Sequence, residues 1–279
     1  MKVNKWYAGL AAAAVVAAAG YALMLWQPRV IRVRVYSDYA FRLQHSNWPD
    51  LLESRFRGAA QIFQQSGTGV KWKIIGSNDT DPSSDVASLD GRRTVLPELG
   101  DSKADVLVSF TGLHEGDRIG SVNPFSRSVI VVDFADRPES ANAVILAMNL
   151  AELFAAPMDT PWVQSASASA PQTVRFTPGV ATLIHQLRRY NFAAGVDGLL
   201  QGSWAQRAAD AIAQSDSTPN SKPAAHAQQV IGIALLNDRR RGDAVVHLRE
   251  ASLLRSVLPR PDKPSGDEGC RRPTPGRVS

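Results

Sequence analysis

Cysteine is nearly absent from this 279-residue chain: the one residue, Cys270, lies in a polar C-terminal tail. An intramolecular disulfide is therefore excluded, and so is a zinc site built from cysteine thiolates. Histidine is almost as scarce, with five residues at 45, 114, 185, 226 and 247. No two of them have the i, i+4 spacing that places paired ligands on one helical face. His114 opens "HEGDR", which has no second histidine four residues on and reads as a turn. His185 reads as a packed or solvated helix residue, and His226 and His247 as surface positions of a helical hairpin. Aromatic residues make up 7% of the chain, and the net charge of +5 is scattered through strands, helices and tail. No basic face interleaved with aromatics results, which argues against nucleic acid as a partner. The glycines form neither a phosphate loop nor a dinucleotide fingerprint. Ser165, Ser167 and Ser169 fall in a small-residue loop without the strand-turn-helix frame of a nucleophile elbow. "DRRRGD", residues 238–243, reads as a solvated turn between helices rather than an acidic-ligand site.

What is present begins with one long apolar run. Residues 6–26, "WYAGLAAAAVVAAAGYALMLW", carry no charge and have Trp6, Tyr7 and Trp26 at their ends. Such a segment is long enough to cross about 30 Å of hydrocarbon as a helix, with its aromatics at the two interfaces. Residues 1–28 thus read as a membrane anchor. A cleavable signal segment cut after Ala22 is the competing reading, and it would give a secreted product. Lys2 and Lys5 favour an inside N-terminus, while Arg29, Arg32 and Arg34 follow on the other side.

Downstream, 44% hydrophobic and 20% charged residues suffice for one large or two modest domains. Ile31, Val33 and Val35 alternate with Arg32 and Arg34, the period-two pattern of a half-buried strand. Leu51, Leu52, Phe56, Ala59, Ala60 and Phe63 recur at helical spacing before Gly67, and "VKWKII" alternates again. Strand, helix, strand opens an α/β sheet domain. Residues 76–93 are polar and turn-rich and read as a surface loop. Leu96 and Leu99 suggest a short helix, "ADVLVSF" a third strand, and "RSVIVVDF" (127–134) a fourth near the sheet edge. The apolar helix of "AVILAMNLAELFAAPMD" (143–159) follows. A small-residue linker over 161–176 leads into a helical region, 177–258, where Thr177 is placed to cap a helix with Pro178 in its first turn. Helices are expected near 203–214 and as a hairpin from Ala225 to Ser256. In that hairpin Gly232, Ala244, Leu248 and Ala251 take the small and apolar positions of one tetratricopeptide unit. Residues 259–279, rich in proline, glycine and charge, read as disordered.

The order of these elements, with "VYSDYAFR", "AAQIFQQSGTGVKWKI", "ADVLVSFTG", "LAELFAAPMD" and "FTPGVATLI", resembles the metzincin zinc peptidases. The similarity is greatest to a bacterial, membrane-anchored family of predicted metalloproteases with C-terminal tetratricopeptide-like helices. It covers about residues 30–258. It implies an α/β (α+β) metzincin-like domain with a mixed sheet over 30–160, one transmembrane helix before it, a small helical domain after it, and an exported C-terminal part. The family carries H-E-x-x-H-x-x-G-x-x-H on a helix and the turn that follows. In this register the three histidines are replaced by Met148, Glu152 and Met158, the general-base glutamate by Asn149, and the glycine by Ala155.

These replacements change the chemistry. Catalytic zinc takes imidazole, carboxylate or thiolate donors, whereas a thioether suits monovalent copper. Of the three ligand positions only Glu152 offers a zinc donor. An asparagine amide does not titrate and cannot take a proton from a metal-bound water. The family's later methionine-bearing turn also has no counterpart methionine in "PWVQSA". The expected protein is a pseudopeptidase, with no zinc cofactor and no catalytic residue retained, that binds a peptide or protein partner. Its old groove could accept an added strand along "RSVIVVDF". Three other readings stand beside it: a purely structural buried helix, an active zinc endopeptidase with ligands from elsewhere in the chain, and an adaptor working through its tetratricopeptide-like helices.

Overall fold

The computed structural model describes residues 27–79, 81, 83–99, 102–157, 174–216 and 222–256. The apolar run 6–26, Met158, "PWVQSA", the serine-rich loop and the tail beyond 256 lie outside the described residues. Among those described, no helix is long and apolar enough to cross a membrane.

The alternating pattern near the N-terminus forms β1, Arg29–Ser37, whose Ile31, Val33 and Val35 are buried while the arginines between them reach outward. Asp38 ends the strand and caps a one-turn helix, α1 (Tyr39–Gln44), by accepting from the Phe41 amide at 2.8 Å. The long amphipathic helix α2 (Trp48–Gln65) buries Leu52, Phe56, Ala59, Ile62 and Phe63, and also Arg55. It leads to β2 (Val70–Asn78), which pairs parallel with β1. The stretch read as a surface loop contains helix α3, Leu89–Val95, followed by a 3-10 turn at Leu96–Leu99. Ser88 caps α3, and Leu89, Arg92 and Arg93 are buried on it. Its burial through two arginines explains why the polar composition suggested a loop.

Strand β3 (Val106–Thr111) is buried along its whole length. A three-residue strand, β4 (Gly120–Val122), precedes β5 (Ser128–Val132) and pairs antiparallel with it. The sheet order is β2-β1-β3-β5-β4, with β2, β1, β3 and β5 mutually parallel. "RSVIVVDF" lies near an edge but is not an open one: β5 pairs with β3 on one side and β4 on the other, and the edges are β4 and β2. Being buried on both faces gives β5 the continuous apolar run typical of interior parallel strands.

Helix α4 (Glu139–Glu152) crosses behind the sheet and packs on α2 and β5. Helix α5 (Pro178–Leu187) starts at Thr177, but that side chain makes no capping hydrogen bond. After a kinked 3-10 segment, Phe192–Leu200, come α6 (Trp204–Ser215), α7 (Pro223–Asn237) and α8 (Arg241–Ser256). Helices α7 and α8 fold back on each other across the turn at Asp238–Arg240. His247, expected at the surface, is half-buried there, with Nδ1 2.6 Å from Gln228 Oε1. The helical region shares one apolar core with the sheet: Phe125 meets Tyr190 edge-on, and Phe154 meets Phe192. A polar tie joins the same two regions, because Asn123 Nδ2 donates to the Ala234 carbonyl at 2.9 Å.

Candidate functional site

The last two turns of α4 carry the residues that the resemblance singles out. Met148 and Glu152, four apart, share a helical face. Met148 is partly buried and packs on the core. Glu152 is also partly buried, and loss of solvation drives its carboxyl pKa up from 4.5 to about 7, against the opposing pull of Arg93 and Arg118. Met158 is outside the described residues. Among those described, no three histidine, cysteine, aspartate or glutamate side chains are grouped so as to hold a metal ion.

Asn149 is fully buried. Its Nδ2 donates to Ile145 O at 2.8 Å, one turn back, and to Ile119 O at 3.3 Å, just before β4. Its Oδ1 has no hydrogen-bond partner among the described residues. The backbone of Gly120 lies directly over this amide: a Cβ there would stand 2.2 Å from Asn149 Oδ1 and 2.4 Å from Ile130 O. Glycine is required, and the edge strand closes the space above residue 149. A catalytic base needs hydrogen-bond reach to water or substrate, and this side chain is sealed from both.

Helix α4 ends at Glu152. Ala156 N donates to Ala151 O at 3.4 Å and Ala155 N to Glu152 O at 2.8 Å, the paired bonds of a Schellman motif. Ala155 takes the left-handed conformation with φ at 61°, where glycine is the usual residue. The turn thus has a glycine-type geometry with alanine in place.

Around Glu152 the charges come from α3 and from the segment before β4. Asp90 accepts from Arg118 Nη2 at 2.8 Å and from Ser121 Oγ at 2.6 Å, and these bonds hold its carboxyl below the usual range. Arg118 also reaches Glu115 at 2.9 Å, and Glu115 in turn accepts the Leu89 amide at 2.6 Å. Arg93 lies near Asp90, Asp238 and Glu152. A cavity of about 450 Å³ opens between α3, Val122 at the end of β4, and Asn237 and Arg239 at the end of α7. The sequence reading missed this side of the site, because Asp90 and Arg93 fell in the presumed loop. The signal was there: Leu89, Arg92, Arg93 and Leu96 fall at helical spacing.

The histidines do not assemble. His45 contacts Asp133 at 2.7 Å, and Asp133 also binds Arg55 at 2.6 Å, at the carboxyl ends of the parallel strands. Arg55 is completed by Glu139 at 2.9 and 3.1 Å, so that cluster is internally satisfied. His114 is exposed and packs edge-on against Phe134, while His185 and His226 are exposed on helices. A comparison of the chain with protein-family models gives no match, and a comparison with curated proteins gives none either.

Proposed function

We propose that this protein is a non-catalytic member of the metzincin-like fold. In this reading it is anchored in a membrane by residues 6–26, with its folded part outside the cytoplasm, and binds a peptide or protein segment beside β4. The observation that carries the reading is Asn149: an amide at the base position, sealed under Gly120 and bonded to two carbonyls of its own chain. Further support comes from the mixed sheet with an antiparallel edge and from the glycine-type turn at Ala155. The edge strand ends beside a cavity, so a bound segment could take hydrogen bonds from the sheet and place a side chain in that space.

The test is metal content and cleavage together, on the full-length chain in nonionic detergent and without a metal-binding tag. The reading expects less than stoichiometric zinc and no chelator-sensitive cleavage of an unfolded protein substrate. Stoichiometric zinc with chelator-sensitive cleavage would overturn it in favour of a zinc endopeptidase. Peptide binding should slow amide hydrogen exchange at Ser121 and Val122.

A second reading is favoured by a separate observation. In α7 and α8, Gly232 admits Leu248 so closely that a Cβ would stand 2.7 Å from its Cγ, and Ala244 and Ala251 are buried. This small-to-large packing is what a tetratricopeptide unit would have, and it supports that reading. Val246 and Leu253 remain 63% and 64% exposed on α8, as in a repeat whose next helix comes from elsewhere. Loss of partner capture on V246E or L253E, with capture retained on S121P, would favour the adaptor role over the groove.

A further inference from the structure

Arg93 is an exception to the rule that buried polar groups are partnered. It is 7% exposed, yet among the described residues its side chain donates no hydrogen bond and forms no ion pair, and its Nε is buried without an acceptor. Its position is fixed from behind, where Ser128 Oγ donates to its backbone carbonyl at 2.7 Å. Two cavities open onto its side chain. The first, of about 450 Å³, is shared with Asp90, Thr94, Asn237 and Arg239; the second, of about 230 Å³, is shared with Thr94, Ser126, Ser128, Asp197 and Asp238.

Asp90, Asp238 and Glu152 act on it at a distance, and among the described residues none is in ion-pair contact with it. Asp90 is engaged by Arg118 and Ser121, and Asp197 by Arg240. Burial pushes the carboxyls of both Glu152 and Asp238 upward, and among the described residues neither forms an ion pair with Arg93. What remains is a desolvated guanidinium with free donors, a second arginine across the larger cavity, and hydroxyl and amide groups between them. A guanidinium fork matches a carboxylate or phosphate with two parallel hydrogen bonds.

We propose that Arg93 is the anchor of a binding site for a small molecule carrying a carboxylate or phosphate group, seated in the cavity between α3, Val122 and the α7–α8 turn. The site is independent of the metzincin-like reading, because it needs only the cavity and the unpartnered arginine. A volume near 450 Å³ admits a metabolite-sized ligand rather than a folded partner.

The experiment is calorimetric titration of the full-length chain in nonionic detergent with sodium sulfate and, separately, sodium succinate. Sodium chloride at matched ionic strength serves as the control. Saturable binding of either anion is expected; sulfate preference would indicate a phosphate-like group and succinate preference a carboxylate. R93M should weaken binding at least ~10-fold, as loss of a charge-assisted bidentate contact does. R93K should fall between the two, because it keeps the charge and loses the fork. Ligand-free R93M should melt at the same temperature as the parent or above it, since removing an unpaired buried charge relieves its desolvation. Absence of saturation by both anions overturns the site. So does equal binding by R93M, and so does a lower melting temperature in R93M, which would make the guanidinium a structural group.

Discussion

Arg92 and Arg93 are neighbours on α3, equally buried at 7% exposure, and their surroundings are opposite. Successive helical residues point about 100° apart, so one turns toward the carboxyl ends of β1 and β3 and the other toward the end of α4. Arg92 donates to Asp38 at 2.8 Å, Thr111 at 3.0 Å, Val86 O at 2.8 Å and Ser84 O at 2.9 Å. Asp38 is itself filled, taking the Thr111 hydroxyl at 2.5 Å and the Phe41 amide at 2.8 Å. Arg93 has none of this among the described residues. The contrast separates a charge that organises the fold from one held ready for something outside it.

The sharpest way to break this comparison is to truncate the paired arginine. R92M leaves Asp38 buried without its cation, and breaking a buried pair from one side costs roughly 3–5 kcal/mol. Urea unfolding of R92M should show a loss of that size, whereas R93M should show none. Equal losses in the two variants would mean that Arg93 has a structural partner after all.

Glu152 sharpens the comparison from the acidic side. Its folded pKa of about 7 lies above the ordinary 4.5, so the folded protein holds a proton that the unfolded chain has released. Stability then falls as pH rises from about 4.5 to about 7, and the full cost is present above that range. Allowing for the partial exposure of the side chain, the cost is about 2 kcal/mol. E152Q should flatten this part of the stability–pH profile and exceed the parent at pH 8, measured by urea midpoints. A parent profile that is flat or rises between pH 5 and 8 would show the carboxylate to be ion-paired instead. Sulfate bound at Arg93 should raise the Glu152 pKa further, which joins this prediction to the proposed site.

These regions differed in how far they could be read from sequence. Strand β1, helix α2 and the start of β2 announce themselves because Ile31, Val33, Val35, Leu52, Phe56 and Phe63 are apolar at the period of their element. Helix α3 does not, because its buried face includes two arginines: Arg92 is held by Asp38 and Thr111, far away in sequence, and Arg93 faces the cavities. Strand β4 is too short for any alternation, and without it β5 read as an edge. Arg55 falls on the apolar stripe of α2, between Leu52 and Ala59, where its charge is met by Asp133 and Glu139 from elsewhere in the chain. At the site, Met148, Asn149 and Glu152 were singled out by the resemblance alone, not by any period or spacing. The sealing of Asn149 by Gly120 and the solitude of Arg93 follow from tertiary placement alone.

The smallest expected effect is at Ala155, and its direction is unusual. Exchanging alanine for glycine normally destabilises by increasing the freedom of the unfolded chain, by roughly 0.4–1 kcal/mol. At a φ of 61° the alanine Cβ is in conflict with the backbone, at a cost of roughly 1–2 kcal/mol, and a glycine has no such conflict. The two terms oppose each other and the conformational one is larger, so A155G should stabilise the protein by about 0.5–1 kcal/mol, read as a shift of the urea midpoint at unchanged slope. Ala156, one residue on and without a positive φ, serves as the control: A156G should destabilise. Stabilisation at 155 alone would show that the turn ending α4 is held in a glycine geometry by the Schellman bonds and the packing of Phe154, at the expense of the residue now occupying it.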